Sequence, residues 1–385
     1  MTEVEDLILL AGRNPMPNYI TAMLLRPPRL HLFHTTGDQG TAPVAERLRA
    51  ALEADLSLKP NIVFHEVNSS SSPTEIESAF DTAQVPDTAH LSFTGGTKAM
   101  SVFFHKAWQR KAGDGGRSSY LDGARDTLVF SDGTEREIKH VNLTIERITQ
   151  LHGIQVSKRG YRSTDPPKDN DAMAMLDIAL EKSGGIERIK GIHSAVSASV
   201  TSRDVRSGGY EYRLESGDLQ FPDELGGIIE RTCVCRQETD LVDDWAGFLV
   251  GHWLEHAMDY FLRASECATQ SVNSLSGLRP HNRLFEVDVM ATRGHRSLVV
   301  SCKANNSSND AKLRSFEVAV RGPQIGGDLT RTAFVGLLGD EALQELRKDH
   351  AAVWGDNRTT TRLFGLSHLR EWHSGCYDSL KDWAV

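Results

Sequence analysis

Residues 284–304 read LFEVDVMATRGHRSLVVSCKA, and this stretch decides the fold of the last third of the chain. It predicts two short strands joined by a turn at Arg293–Arg296. Glu286 and Asp288 alternate with Val287 and Val289 on the first strand, and Ser301 and Lys303 alternate with Val300 and Cys302 on the second. Side chains two apart on a strand share a face, so each strand has one apolar and one polar side. Pairing the polar sides brings two carboxylates and a lysine to one spot, a set that can hold a divalent cation and act on a phosphodiester. The plainer alternative is an exposed hairpin whose charges are only solvated.

A helix is expected just upstream, from Asp243 to about Ala264, carrying Gly251-His252-Trp253-Leu254-Glu255-His256. At about 100° per residue, His252, Glu255, His256 and Asp259 fall in one polar stripe. An acid on that stripe can lean over the strand pair. The same residues also match H-x-x-E-H, a zinc-peptidase pattern in which His252 and His256 are ligands and Glu255 is catalytic. That reading needs a third ligand elsewhere and leaves Asp288 and Lys303 unexplained. A buried glutamate satisfied by polar neighbours is the structural alternative.

The first third has a different rhythm. Apolar runs at Leu7–Ala11, Arg29–Thr35, Asn61–Val67 and Ala89–Phe93 alternate with helical stretches at 43–56, 73–83 and 98–110. Strands alternating with helices imply a doubly wound, mostly parallel sheet, whose ligands sit beyond the carboxyl ends of the strands. Ser119–Phe130 and Glu137–Leu143 are expected to add strands closing this domain. After the fourth run comes Thr94-Gly95-Gly96-Thr97-Lys98. Its glycines let backbone amides approach a phosphate, and the following helix presents its positive end. The P-loop spacing is absent. Thr35 and Thr36, and Asn14 before Pro15, would line the same rim. A tight strand-to-helix turn without a ligand is the alternative.

The whole chain sets bounds. Its 385 residues suit two or three domains at about 100–200 residues each. Apolar content of 39% supports a full core. Five irregularly spaced cysteines argue against a disulfide framework and for a reducing cytoplasm. Cys233-x-Cys235 could be half a metal site, with no second pair beside it. No run of about 18 apolar residues is present, so no membrane span is expected. A net charge of −9 means that any polyanion must be held by a local basic patch or a metal. Residues 150–235 are the least legible, with a linker signal at 165–170 and a helix expected from Ala172 to Glu181.

The segments LILLAGRNPMPNYITAMLLRPPRLHLFHTTG at 7–37 and LSFTGGTKAMS at 91–101 together resemble the CARF sensor domain of CRISPR ancillary proteins. GHWLE, FEVDV and VVSCKA, within 251–304, resemble the PD-(D/E)xK nuclease domain joined to it in the CARF-nuclease family. The resemblance implies an α/β chain: a Rossmann-like sensor domain at 1–148, a connecting region at 149–240, and a restriction-endonuclease-like domain at 241–385. It implies a cytoplasmic homodimer that senses cyclic oligoadenylate, most readily cyclic tetra-adenylate, and then cleaves DNA or RNA in antiviral defence. The activator would contact Asn14, Thr35, Thr36 and Thr94 to Lys98, including Gly95, Gly96 and Thr97. Glu255, Asp288 and Lys303 would form the active site, with Asp288, the Cys302 carbonyl and an acid from Glu255 or Glu317 holding Mg2+ or Mn2+.

One position departs from the family pattern. Its second strand usually reads E-x-K, and here it reads Ser301-Cys302-Lys303. A variation of this nuclease fold carries the acid on the following helix, where Glu317 stands; Glu286 is the other donor. A sensor with a silent nuclease domain is the second functional reading that Ser301 leaves open.

Overall fold

The computed structural model describes residues 4–57, 59–156, 166–206, 209–214, 247–280, 283–327, 329–355 and 361–384. Cys233, Cys235 and residues 243–246 lie outside them. The described residues form two compact units. The first comprises 1–154 with 294–296 and 325–329, and the second comprises the remainder.

The first unit runs β1 (Asp6–Leu10), α1 (Met16–Leu25), β2 (Arg29–Thr35), α2 (Ala42–Asp55), β3 (Asn61–Val67), α3 (Pro73–Thr82), β4 (His90–Ser92), α4 (Lys98–Ala112), β5 (Arg117–Asp122), β6 (Thr127–Phe130), β7 (Glu135–Glu137) and α5 (Ile145–Leu151). The strands form one sheet in the order β3-β2-β1-β4-β5-β6-β7. β1 pairs in parallel with both β2 and β4, and β2 with β3. Every residue of β1 is buried, as expected of a central strand covered on both faces. Order reverses at β1 and β4, so the loops after those two strands flank the switch point where doubly wound sheets take their ligands. One face of the sheet is aromatic: Phe33 meets Phe104 edge-on at 4.7 Å between ring centroids, beside Phe80 and Trp108.

Two expectations here need correction. Ser119–Phe130 is not one strand but the pair β5 and β6, antiparallel across the turn at 123–126. Glu137–Leu143 is not a strand beyond Glu137. Its apolar residues Ile138, Val141 and Leu143 are buried, but their spacing of three and then two breaks the period of two that a strand requires.

His90 opens β4 at 2% exposure, its Nε2 2.7 Å from Ser119 Oγ. Burial, reinforced by the Arg117 charge, pushes the ring down to about 4. The folded chain therefore keeps His90 neutral over a range in which the unfolded chain protonates it. Stability is full above the unfolded value near 6.5 and is lost as pH falls towards 4, by about 3 kcal/mol from this residue at most. Urea midpoints at pH 7 and pH 4.5 measure the loss, and His90→Gln should shrink the difference between them.

The second unit runs β8 (Gln155–Val156), α6 (Pro166–Leu180), α7 (Gly185–Ser199), β9 (Val200–Arg206), β10 (Gly209–Leu214), a π-helical turn at Phe248–His252, α8 (Trp253–Ala264), β11 (Gln270–Arg279), β12 (Arg283–Arg293), β13 (Arg296–Lys303), α9 (Ser308–Gly326), β14 (Arg331–Gly336), α10 (Asp340–Trp354), β15 (Thr361–Phe364), α11 (Leu366–His373) and α12 (Asp378–Ala384). Six strands make a mixed sheet in the order β15-β14-β13-β12-β11-β8. β11 and β12 pair antiparallel, and β13, β14 and β15 pair in parallel. Helix α6 starts at Pro166, earlier than expected, so 166–170 is helix rather than linker. α6 and α7 contribute Met175, Leu176, Ile189 and Ile192 to the same core as Trp253, Leu254 and Phe261 of α8. Arg263 fastens α8 to α6, donating to both Asp169 carboxylate oxygens at 2.9 Å.

Candidate active site and candidate activator loop

The expected hairpin is present, with β12 and β13 adjacent and joined at Gly294-His295. Along β12 the residues 285–289 alternate as expected: Phe285, Val287 and Val289 are buried, Glu286 is exposed and Asp288 is half-buried. Asp288 faces β13, where its Oδ2 accepts from Ser301 Oγ at 2.9 Å and from the Cys302 backbone N–H at 2.7 Å. Both donors use Oδ2, which leaves Oδ1 open to a ligand. The N–H and C=O of a strand residue leave the chain on the same side, so the Cys302 carbonyl also faces this carboxylate.

Burial pushes the Asp288 carboxyl up, against the opposing pull of the Cys302 N–H, the Ser301 hydroxyl and the charges of Arg314 and Lys303. Burial, with the Asp288 and Glu255 carboxylates close by, pushes the Cys302 thiol well up. Cys302 is therefore a protonated thiol here, and only its carbonyl can serve a hard cation.

Glu255 arrives from α8 at 9% exposure. The π-helical turn at Phe248–His252 immediately precedes it, a feature often found at functional sites. Its Oε2 accepts from Ser274 Oγ at 2.7 Å. Ser274 lies on β11 between the pairs Asn273–Val289 and Leu275–Val287, opposite Asp288. Its backbone is left-handed, φ 48°, which costs a non-glycine residue of order 1 kcal/mol or more. The strand kinks at the residue that holds Glu255 against the hairpin. Neither Ser274 nor Arg314 was expected from the sequence; a lone serine in an alternating strand carries no local signal.

The structure therefore brings Asp288, Ser301, Cys302 and Lys303 together, with Glu255 acting on the same cluster. Glu317 does not join them. It is held on α9 between Arg314 and Arg321, each at 2.7 Å, and Arg314 is the group whose charge reaches Asp288. Among the described residues no three His, Cys, Asp or Glu side chains form a ready-made metal cluster. The zinc arrangement is not built either. His256 is buried with Nδ1 3.2 Å from Asn273 Nδ2 and its ring against Phe248, and no third ligand joins it and His252 among those residues. Two carboxylates and a carbonyl fit a hard divalent cation better than zinc.

In the first unit the glycine turn sits against the end of β1. A Cβ on Gly95 would stand 2.0 Å from the Leu10 carbonyl oxygen, and Gly96 has φ 76°. Asn18 of α1, buried to 1% and not expected from the sequence, donates from Nδ2 to the same Leu10 oxygen at 2.7 Å and flanks Gly95. The hydroxyls of the loop are engaged internally. Thr94 Oγ1 accepts from Leu121 N–H, and Thr97 Oγ1 caps α4 by accepting from Met100 N–H while donating to the Ser70 carbonyl. Thr35 exchanges hydrogen bonds with Thr41, and Asn14 Oδ1 accepts from Met16 N–H. These residues shape the rim. The groups left to meet a phosphate are the backbone amides of the turn, half-buried Thr36 and the exposed Lys98.

A cavity of about 1370 Å3 opens at the other end of this sheet, by His90, Arg117, Arg26 and Trp108, at the amino ends of the parallel strands. It is remote from the glycine turn.

The same architecture recurs in solved structures. Can2 from Sulfobacillus thermosulfidooxidans, in complex with cyclic tetra-adenylate, matches 100% of this chain and 98% of its own at TM-score 0.67 and 15% identity. The chain shares the fold of Can2. Protein VC1899 from Vibrio cholerae matches over 98% of this chain and 97% of its own, at TM-score 0.67 and 13% identity. A type III CRISPR defence DNA nuclease activated by cyclic oligoadenylate matches at TM-score 0.51 and 19% identity, over 88% of this chain and 46% of that one. No family model and no curated protein matches the sequence. Among the described residues no helix is long and apolar enough to cross a membrane.

Proposed function

We propose that this chain is a nuclease switched on by a cyclic oligoadenylate, most readily cyclic tetra-adenylate, and that it cleaves DNA or RNA in type III CRISPR defence. The observation that carries the reading is the meeting of Asp288, the Cys302 backbone and Lys303 on one hairpin under Glu255. The fold shared with Can2, a protein solved with cyclic tetra-adenylate, supports the activator.

Asp288 Oδ1, the Cys302 carbonyl and Glu255 would hold Mg2+ or Mn2+. Such an ion supplies Lewis acidity to the phosphoryl oxygen and lowers the pKa of a water. Lys303 offsets charge developing on the phosphate and orients the attacking water. Ser301 fixes the Asp288 carboxylate in place of the family's acid. Glu255 then supplies the second carboxylate, and Glu317 serves by holding Arg314. A cyclic tetranucleotide can have two-fold symmetry, which a two-fold homodimer matches with a self-complementary site. Binding switches the enzyme by favouring one arrangement of two nuclease domains over another.

Plasmid, single-stranded DNA and single-stranded RNA incubated with Mn2+, with and without cyclic tetra-adenylate, test this reading. Activator-dependent cleavage is the expected result. Activator binding without cleavage of any of the three would mean a sensor whose nuclease domain is silent. The division of labour between the acids is tested in the same assay. Glu255→Gln should cost about 100-fold or more, and Glu317→Gln less than about 5-fold, the size of a lost surface ion pair. A larger loss at Glu317 than at Glu255 would return the missing acid to α9.

A further inference from the structure

A chain of net charge −9 can hold a polyanion only on a local basic surface, and the second unit builds one beside the candidate site. Helix α9 buries Ala311, Ser315, Val318 and Gly322 on one side, and Arg314, Arg321 and Gln324 stand on the other. Glu317 pairs with both arginines at 2.7 Å and holds them two helical turns, about 10 Å, apart.

The end of the β11–β12 hairpin closes on this face. Arg279 and Arg283 are direct partners across the two strands. Arg279, its guanidinium 5.4 Å from the centre of the Phe285 ring, donates to Gln324 Oε1 at 3.1 Å. Gln324 lies one turn beyond Arg321, so four arginines from three elements share one strip. Two carboxylates stand among them, Glu286 on β12 and Glu317, which leaves the strip positive. Leu284 is on the face of β12 that carries Asp288, about 13 Å along the strand, so the strip runs up to the candidate site. Leu284, Leu313 and Val320 are 78%, 65% and 57% exposed, half of the large exposed apolar side chains among the described residues. Each is the chain neighbour of one of these arginines.

We propose that this strip grips the substrate as an unpaired strand, with phosphates on Arg279, Arg283, Arg314 and Arg321 and bases on Leu284, Leu313 and Val320. The proposal rests on the nuclease reading above. A duplex keeps its base faces stacked inside, meets the arginines alone and leaves the three aliphatic side chains in water. An unpaired strand satisfies both halves of the strip.

The full-length Asp288→Asn protein, with Mn2+ and cyclic tetra-adenylate, gives a binding assay free of cleavage, read as fluorescence anisotropy of a labelled single strand and of its duplex. The single strand should bind about 10-fold more tightly. Arg283→Gln and Arg321→Gln should each weaken it about 3- to 10-fold and reduce the slope of log K against log salt by about 0.7, the value for one phosphate of a single strand. Arg321→Lys keeps the charge and should bind within about 3-fold of the parent, which separates lost charge from a disturbed helix. Leu284→Ser and Leu313→Ser should cost about 3- to 10-fold at unchanged slope, and Lys348→Gln on α10 should change neither quantity. Parental affinity and slope in both arginine-to-glutamine variants would overturn the strip. Duplex binding as tight as single-strand binding would overturn the unpaired strand. Serine variants that keep full affinity but lose self-association in light scattering would give the apolar groups to a second copy of this chain and overturn the base contacts. A parent protein that binds single strands on this strip yet cleaves nothing overturns the nuclease reading instead.

Discussion

Asp288→Asn should abolish cleavage while the protein remains folded, with a loss of about 1000-fold or more, the several kcal/mol that charge stabilisation at such a site contributes. The substitution keeps the shape of the side chain and an acceptor for the Ser301 hydroxyl or the Cys302 N–H, both of which bond one carboxylate oxygen. What it removes is the charge. Burial holds the Asp288 carboxyl above its ordinary value, so the folded chain binds its proton more tightly than the unfolded one. The sign follows from linkage: this group favours the folded state below the ordinary carboxylate range, and that contribution is lost as pH rises through the raised value. Above that value the ionised carboxylate is a burden on stability, and asparagine relieves it. Thermal melting should therefore show a midpoint equal to or above that of the parent, together with lost activity. A midpoint well below the parent would mean that the carboxylate is a structural anchor. Lys303→Ala, read beside it, should lose about 100- to 1000-fold, in the range measured for single groups that stabilise transition-state charge.

Gly95→Ala should remove the response to cyclic tetra-adenylate. The added methyl would stand 2.0 Å from the Leu10 carbonyl oxygen and 2.7 Å from Asn18 Oδ1. The first of these is backbone in the central strand and cannot swing aside. The turn must move, and with it the amides of the α4 amino end, so affinity for the activator should fall about 100-fold or more. Asn18→Ala supplies a graded companion. It removes the bond to Leu10 but adds no bulk, and should cost about 1–2 kcal/mol of stability with a smaller loss of affinity. Isothermal titration with cyclic tetra-adenylate measures both. Tight binding by a folded Gly95→Ala protein would move the activator away from this turn.

The elements legible in the sequence were those with a strict period. The continuous apolar run of β1 and the alternation of β12 around Asp288 stand in the structure as they read in the chain. Thr94–Lys98 was legible as a turn because only glycine suits it, but not that its hydroxyls are spent on Leu121, Ser70 and Met100. The misreading of 137–143 has a physical cause, burial without periodicity: Ile138, Val141 and Leu143 are as buried as strand residues yet make no ladder. Within the candidate site, Asp288 and Lys303 come from a local pattern. Ser274 and Arg314 come from packing between distant elements and leave no trace in any window of the sequence. The Glu317 expectation rested on helix position alone, and in the structure arginines at i−3 and i+4 pair with its carboxylate.

The hairpin that joins Asp288 to Ser301 also orders events during folding. The bond between them spans 13 residues, a loop whose closure costs little chain entropy, whereas β13 finds β14 only after the whole of α9 has been laid across. Half of the site is thus a local product, available early, and the rest waits for long-range docking of α8. A refolding chain should therefore protect the Cys302 amide from hydrogen exchange well before it regains the power to cut.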